Sequence, residues 1–182
     1  MRFIAAILVS AFACSPAFAQ VATQGGMQNR EIKALPAAEL AGLLAGRGLG
    51  LAQAAELNHY PGPTHVLELR AELGLTEQQL AAAHASLART VAEARVIGAQ
   101  LVQKERELDA AFRDASITPA IVTRLTAEIA EVKGRLRAVH LLAHLDMRAM
   151  LTPQQIEAYD KLRGYADDAP AAHHGHAGTK PG

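Results

Sequence analysis

Histidines carry most of the chemistry open to this chain. His140 and His144 stand four residues apart, and on a helix that spacing projects both imidazoles from one face. Two imidazoles so placed can chelate a divalent transition ion such as zinc, nickel, cobalt or copper, and Met147, within one further turn, offers a soft donor. Earlier in the chain His59 and His65 flank the turn Tyr60-Pro61-Gly62-Pro63, and Glu68 follows His65 by three. His84 falls one turn after Leu80, on an apolar seam. A hairpin that returns on itself could bring His65 or His84 to the His140 region. The spacing therefore offers His140 and His144 as a metal-binding pair, with His65 or His84 as a third histidine in reach. His173, His174 and His176 form a second candidate near the C-terminus, where a flexible segment can bind such ions without ordered geometry. Each group also has a plain structural reading: packing and hydrogen bonding for the helical pair, a pH-dependent solvated charge for the tail.

No catalytic constellation accompanies the histidines. Hydrolysis by a nucleophile needs a base and a third orienting group near turns that expose them. Ser86 lies within a helical stretch, Ser116 in a tight turn, and no glycine-rich elbow surrounds either. The glycines form neither a phosphate-binding loop nor a dinucleotide fingerprint. Acidic residues are scattered at the spacing of a solvated helix surface. The expectation is a binding protein rather than an enzyme, with no catalytic residue.

The elements that must hold these residues are helices. The phrase Leu-Thr-x-x-Gln occurs twice, at Leu75-Thr76-Glu77-Gln78-Gln79 and Leu151-Thr152-Pro153-Gln154-Gln155. Both copies are capping boxes: the threonine hydroxyl accepts from the backbone N–H three residues on, and the glutamine reaches back to the threonine N–H. Pro153 strengthens the second copy by fitting the first helical position. From these starts two long helices are predicted, over 76–114 and 119–150, and a shorter one over 152–162. Leu80, Leu87, Val91, Ala94, Leu101, Leu108 and Phe112 make an apolar stripe on the first. Leu125, Ile129, Val132, Leu136, Val139, Ala143, Met147 and Met150 do so on the second. The reversal at Ser116-Ile117-Thr118-Pro119 is so short that the two must pack antiparallel. Shorter helical segments are predicted over 36–44, 49–57 and 64–73, with Pro63 opening the last and Gly74 stopping it. No strand-like alternation appears. The fold class is all-α: a long antiparallel helical hairpin with short flanking helices.

Composition bounds the setting. Arg2, the apolar run 3–9 and Ala17-Phe18-Ala19 describe a secretory signal peptide over residues 1–19, cleaved before Gln20. Its apolar run is too short for a permanent anchor, which needs about 20 residues. The single cysteine, Cys14, lies inside this leader, so the mature chain has no thiol chemistry unless Cys14 is a lipid-attachment site. Removing the leader takes Arg2 from the 18 basic residues and nothing from the 18 acidic ones, leaving no basic excess for nucleic acid or an anionic membrane. Aromatic residues make up 4% of the chain and tryptophan is absent, which favours thin Ala- and Leu-rich helical packing. Residues 20–47 read as a flexible arm with a short helix, 48–165 as the helical domain, and 166–182 as a disordered His-containing tail.

The paired Leu-Thr-x-x-Gln phrases on a helical hairpin behind a signal peptide resemble the periplasmic Spy/CpxP family, which includes zinc-resistance-associated proteins and periplasmic heavy-metal sensors. The similarity spans about 48–165. It is strongest at Asn58-His59-Tyr60-Pro61-Gly62-Pro63 with His65-Val66-Leu67-Glu68-Leu69, and again over 140–165. It implies a cradle-like homodimer in the periplasm, made under envelope or metal stress. Some members hold unfolded envelope proteins without ATP; others bind metal and report to a membrane partner. The sensors use early histidines, a glutamate, and a late-helix histidine with a methionine one turn on. In this chain the resemblance implies a metal site of His65, His140 and His144, with His59, Glu68 and Met147 as weaker members, although the His-x-x-x-His pair is in the late helix and the early histidines are six apart across a proline turn. The function expected is binding of divalent transition metal in heavy-metal sensing or resistance. The alternatives are an ATP-independent chaperone for envelope proteins and a module that regulates a membrane sensor.

Overall fold

The computed structural model describes residues 26–165. The leader with Cys14 and the tail with His173, His174 and His176 lie outside the described residues. Among those described there are six α-helices and no strand: α1 (Ala37–Leu44), α2 (Gln53–Glu56), α3 (Pro63–Glu68), α4 (Glu77–Arg113), α5 (Pro119–Met150) and α6 (Pro153–Arg163). The all-α hairpin with short flanking helices is what the pattern predicts. No helix is long and apolar enough to cross a membrane among the described residues.

Both capping boxes form in full, at Thr76–Gln79 and Thr152–Gln155. Thr118 caps α5 by accepting from Ile121 N–H, with Pro119 opening the helix. At 37 and 32 residues, α4 and α5 reach about 55 and 48 Å at 1.5 Å per residue. They run antiparallel, and α1, α2 and α3 lie along one side of the pair.

The stripe on α5 is the predicted one, with Leu125, Val132, Leu136, Val139, Ala143 and Met147 buried. On α4 it is rotated. The buried residues are Ala83, Ser86, Thr90, Ala94, Ile97, Gly98, Leu101 and Val102; Leu80 and Leu87 are only half-buried, and Phe112 is 59% exposed. Small residues face the partner helix because they let two long backbones approach; the larger leucines turn sideways onto the short helices. His84 is exposed rather than on the seam.

Two further expectations change. The helix expected over 64–73 ends at Glu68 and continues as turns to Gly74, whose φ of 57° is left-handed. From Ile32 on, the segment read as an arm is packed: Ile32 is 1% exposed and sits with Leu101, Val102 and Leu136 in the core. Glu31 pairs with Arg106, and Lys33 with Asp109, fixing its polar side. A short apolar pair, Ile32 and Leu35, carries too little periodicity to be recognised.

Helix α1 crosses α4 at Gly98 so closely that a Cβ there would stand 2.3 Å from the Leu43 carbonyl oxygen. Backbone cannot swing aside as a side chain can. Gly98→Ala is expected to destabilise the protein by about 2–3 kcal/mol, the usual range for overpacking; a denaturant midpoint unchanged from wild type would mean that α1 docks more loosely.

The apolar core has two parts. One joins Ile32, Leu43, Ala94, Leu101, Leu136 and Val139 towards the middle of the hairpin. The other joins Val66, Leu73, Ala83, Met147, Leu151 and Tyr159 at its open end. On α5 the step from Val139 to Met147 passes through His140 and His144, both 8% exposed. The polar residues lie in the gap between two apolar clusters.

Candidate functional site

That gap is a cavity of about 430 Å3, roofed by the loop 45–53 and walled by α3, α4 and α5. Its apolar lining comes from Leu49, Leu87, Val91 and Ala143, and its polar lining includes His65, His140, His144 and Glu56. All three principal histidines expected from the sequence therefore face one space. The proline turn accomplishes this: Pro61, Gly62 and Pro63 are buried, and a Cβ at Gly62 would come within 2.8 Å of the His144 ring. Only glycine lets the turn lie against that imidazole.

The tautomer of His144 follows from its partner. Its Nδ1 is 2.7 Å from the Tyr60 carbonyl oxygen, which can only accept, so Nδ1 carries the proton. In the neutral ring Nε2 then holds the lone pair. An imidazole oriented by a backbone carbonyl through its other nitrogen is the usual arrangement of a metal-ligating histidine. His140 Nε2 is buried with no hydrogen-bond partner among the described residues, a rare condition for a buried polar atom. Burial first, and then the neighbouring His144, hold the His140 imidazole below its ordinary pKa.

This has a measurable sign. The folded chain resists a proton that the unfolded chain takes up below about pH 6.5, so stability falls as the pH drops through that value. Thermal unfolding followed between about pH 7.5 and 5 should show this decline, and His140→Leu should flatten part of it. A variant with an unchanged profile would acquit His140.

Glu56 is the hub on the other side of the cavity. It is 9% exposed, and its Oε1 accepts from Tyr159 Oη, from His65 Nδ1 at 3.0 Å and from Tyr165 Oη at 3.3 Å. Arg163 Nε lies 3.6 Å from the same oxygen, and His144 Nδ1 lies 3.7 Å from Oε2. Burial and then the bond to Glu56 raise the Tyr159 phenol far above its ordinary pKa, so Tyr159 remains a donor. With Nδ1 committed to Glu56, His65 keeps Nε2 free.

The weaker candidates are placed elsewhere. His59, at a left-handed φ of 65°, sits beside Asp160 with Nδ1 2.9 Å from Oδ2. Its carbonyl accepts from Arg148, whose guanidinium stacks 4.7 Å over the Tyr60 ring. Met147 is 1% exposed within the lower apolar cluster. Glu68 is exposed at the end of α3. None of the three lines the cavity. Among the described residues no three His, Cys, Asp or Glu side chains converge closely enough to enclose an ion. The donors brought to one wall are two: His140 and His144.

Glu56, Tyr159 and Tyr165 are the site residues that the sequence does not announce. A carboxylate in a four-residue helix gives no periodicity from which burial can be read. The available signal was scarcity: the chain has only three tyrosines, and Tyr60, Tyr159 and Tyr165 all meet here. Compared with protein-family models, with curated proteins and with solved structures, the chain matches none.

Proposed function

We propose that this protein binds a divalent transition metal ion in the cavity between α3, α4 and α5, as a periplasmic protein of heavy-metal sensing or resistance with the Spy/CpxP character that its sequence resembles. One observation carries the reading. Two imidazoles on successive turns of α5 are buried against a cavity, one with Nδ1 tied to a backbone carbonyl and the other with Nε2 unpartnered. Neutral imidazole nitrogens suit zinc, copper, nickel and iron. His65, linked to α6 through Glu56, would relay occupancy of the site to the open end of the hairpin, where a membrane sensor or a second copy of the chain could read it.

The test is calorimetric titration of the full chain with His173, His174 and His176 replaced by alanine, so that the tail does not compete. Saturable binding of one Zn2+, Ni2+, Co2+ or Cu2+ per chain is expected, falling at least tenfold in His140→Ala/His144→Ala with helix content retained. Undiminished affinity in that variant would move the site elsewhere.

A second reading rests on a different surface. Leu142 and Leu145 are 58% and 51% exposed, and Leu142 lies beside the ion pair of Arg89 and Asp146 that bridges α4 and α5; Val96 on α4 is 60% exposed. Exposed apolar side chains among charges suit loose holding of unfolded envelope proteins. That activity would survive chelators and the histidine replacements.

A further inference from the structure

Anything that is to reach His140 and His144 freely needs part of the protein to move, because both residues are only 8% exposed. The walls of the cavity are firmly held. α4 and α5 meet through the apolar core, and α3 is seated by the fully buried Val66 and by the Gly62 turn against His144. The roof is built differently. Ala45 accepts from Arg95 Nε at 3.3 Å, and a Cβ at Gly46 would stand 2.7 Å from the Val91 carbonyl oxygen, so this end is pressed onto α4. At the other end Leu51 packs against the core. Between these anchors, residues 47–50 make no hydrogen bond to α4 or α5 among the described residues. Their backbone bonds run only to Gly42, Leu51 and Gln53.

The same four residues carry strain. φ is 46° at Leu49 and 77° at Gly50, after 71° at Gly46. Glycine enters the left-handed region freely, but in leucine the Cβ then crowds the following carbonyl oxygen. Such a conformation persists only where its surroundings hold it, and residues of this kind gather at ligand clamps and switch segments. What holds Leu49 is a notch in α1. The three atoms nearest to a Cβ at Gly42 would all belong to the Leu49 side chain, the first being Cδ2 at 2.6 Å. The leucine fills the space that the missing methyl leaves.

We propose that residues 47–50 form a latched flap over the cavity, with Leu49 as the latch, Gly42 as its notch, and Gly46 and Gly50 as the hinges. With the latch seated, Gly48 lies against His140, where a Cβ would be 3.6 Å from Nδ1. Once Leu49 leaves the notch, its backbone relaxes to the regions open to any residue and Gly48 swings off the imidazole. The flap governs access whatever ligand the imidazoles take, and so stands apart from the metal function.

Two replacements release the latch from opposite sides. Gly42→Ala fills the notch; it meets only the far end of a flexible side chain, and alanine suits a helix better than glycine, so the fold should be kept. Leu49→Ala removes the latch and leaves α1 untouched. The experiment is carbethoxylation of the full chain by diethyl pyrocarbonate near neutral pH, with tandem mass spectrometry giving a rate for each histidine. His84, exposed and outside the cavity lining, is the reference. In the wild-type chain His140 should react roughly tenfold more slowly than His84, as befits a group reached only through local opening. Both variants should raise the His140 rate about fivefold or more while the His84 rate stays constant, and Gly42→Ala should not lower the thermal midpoint. Wild-type His140 reacting as fast as His84 would overturn the proposal, because the roof would then close nothing. An unchanged His140 rate in both variants would overturn it in favour of access by release of α3. A faster His140 in Gly42→Ala with a lowered midpoint would overturn it as well, since general loosening would then explain the exposure.

Discussion

Glu56→Ala is expected to lower the unfolding free energy by about 3 kcal/mol and to loosen α6 from the rest of the fold. Tyr159 is fully buried, and Glu56 accepts from its hydroxyl. Leaving such a donor unsatisfied costs about 1–3 kcal/mol. Arg163, 3.6 Å from the same oxygen, is exposed, so it adds little. His65 and Tyr165 are only partly buried, so water replaces much of what they lose. Glu56→Gln should cost distinctly less, because its carbonyl oxygen can still accept from Tyr159. Urea unfolding of both variants separates the two cases, and amide exchange over residues 153–165 reports the loosening. Equal midpoints for the alanine and glutamine variants would show that the carboxylate acts through its charge and not through the oxygen that accepts from Tyr159.

The second large effect lies where the two Leu-Thr-x-x-Gln phrases meet. Gln79 Nε2 donates to Gln155 Oε1 at 2.8 Å, and Gln155 Nε2 donates back to Gln79 Oε1 at 3.1 Å. The remaining amide hydrogens go to the Met150 and Leu73 carbonyls, and each Oε1 also receives its own threonine N–H. Every polar hydrogen of the pair is used. Each single replacement by alanine is expected to cost about 2 kcal/mol, from a lost cap and carbonyls left without donors. Because the residues share partners, the double variant should fall short of the sum by about 1–2 kcal/mol. Strict additivity in a double-mutant cycle would mean that the two amides act only as separate caps. Gln155→Glu should be worse than alanine near neutral pH, since an anionic oxygen would face the Leu73 carbonyl, and milder in acid, where the carboxyl regains a donor.

Sequence pattern reached far for the long elements and less far for the site. The capping boxes, the turn at Thr118 and the α5 stripe were legible because each is a local or periodic signal. Neighbours within four residues decide such features. The rotation of α4 was not legible: a stripe of leucines is visible, but which face is buried depends on how closely small residues let backbones approach, as Gly98 does for α1. His140 and His144 could be paired from their spacing alone. Their meeting with His65 needed the proline turn, which was visible, and the docking direction of that turn, which was not. Glu56 and Tyr159 are 103 residues apart, and nothing local encodes such a contact. The two glutamines were each visible as caps while their mutual pairing was hidden for the same reason.

The short reversal between α4 and α5 also sets an order of events. Contacts near that turn close small loops and can form early, whereas bonds at the far end must wait for the whole hairpin, since longer loops cost more entropy to close. The cavity stands towards that late-forming end, held by α2, α3 and α6 rather than by the hairpin alone. Groups that join after the transition state govern how fast a protein comes apart, not how fast it assembles. The site should therefore breathe on its own, opening and resealing many times while the long helices stay zipped. A ligand that bridges α5 to the proline turn would slow such breathing.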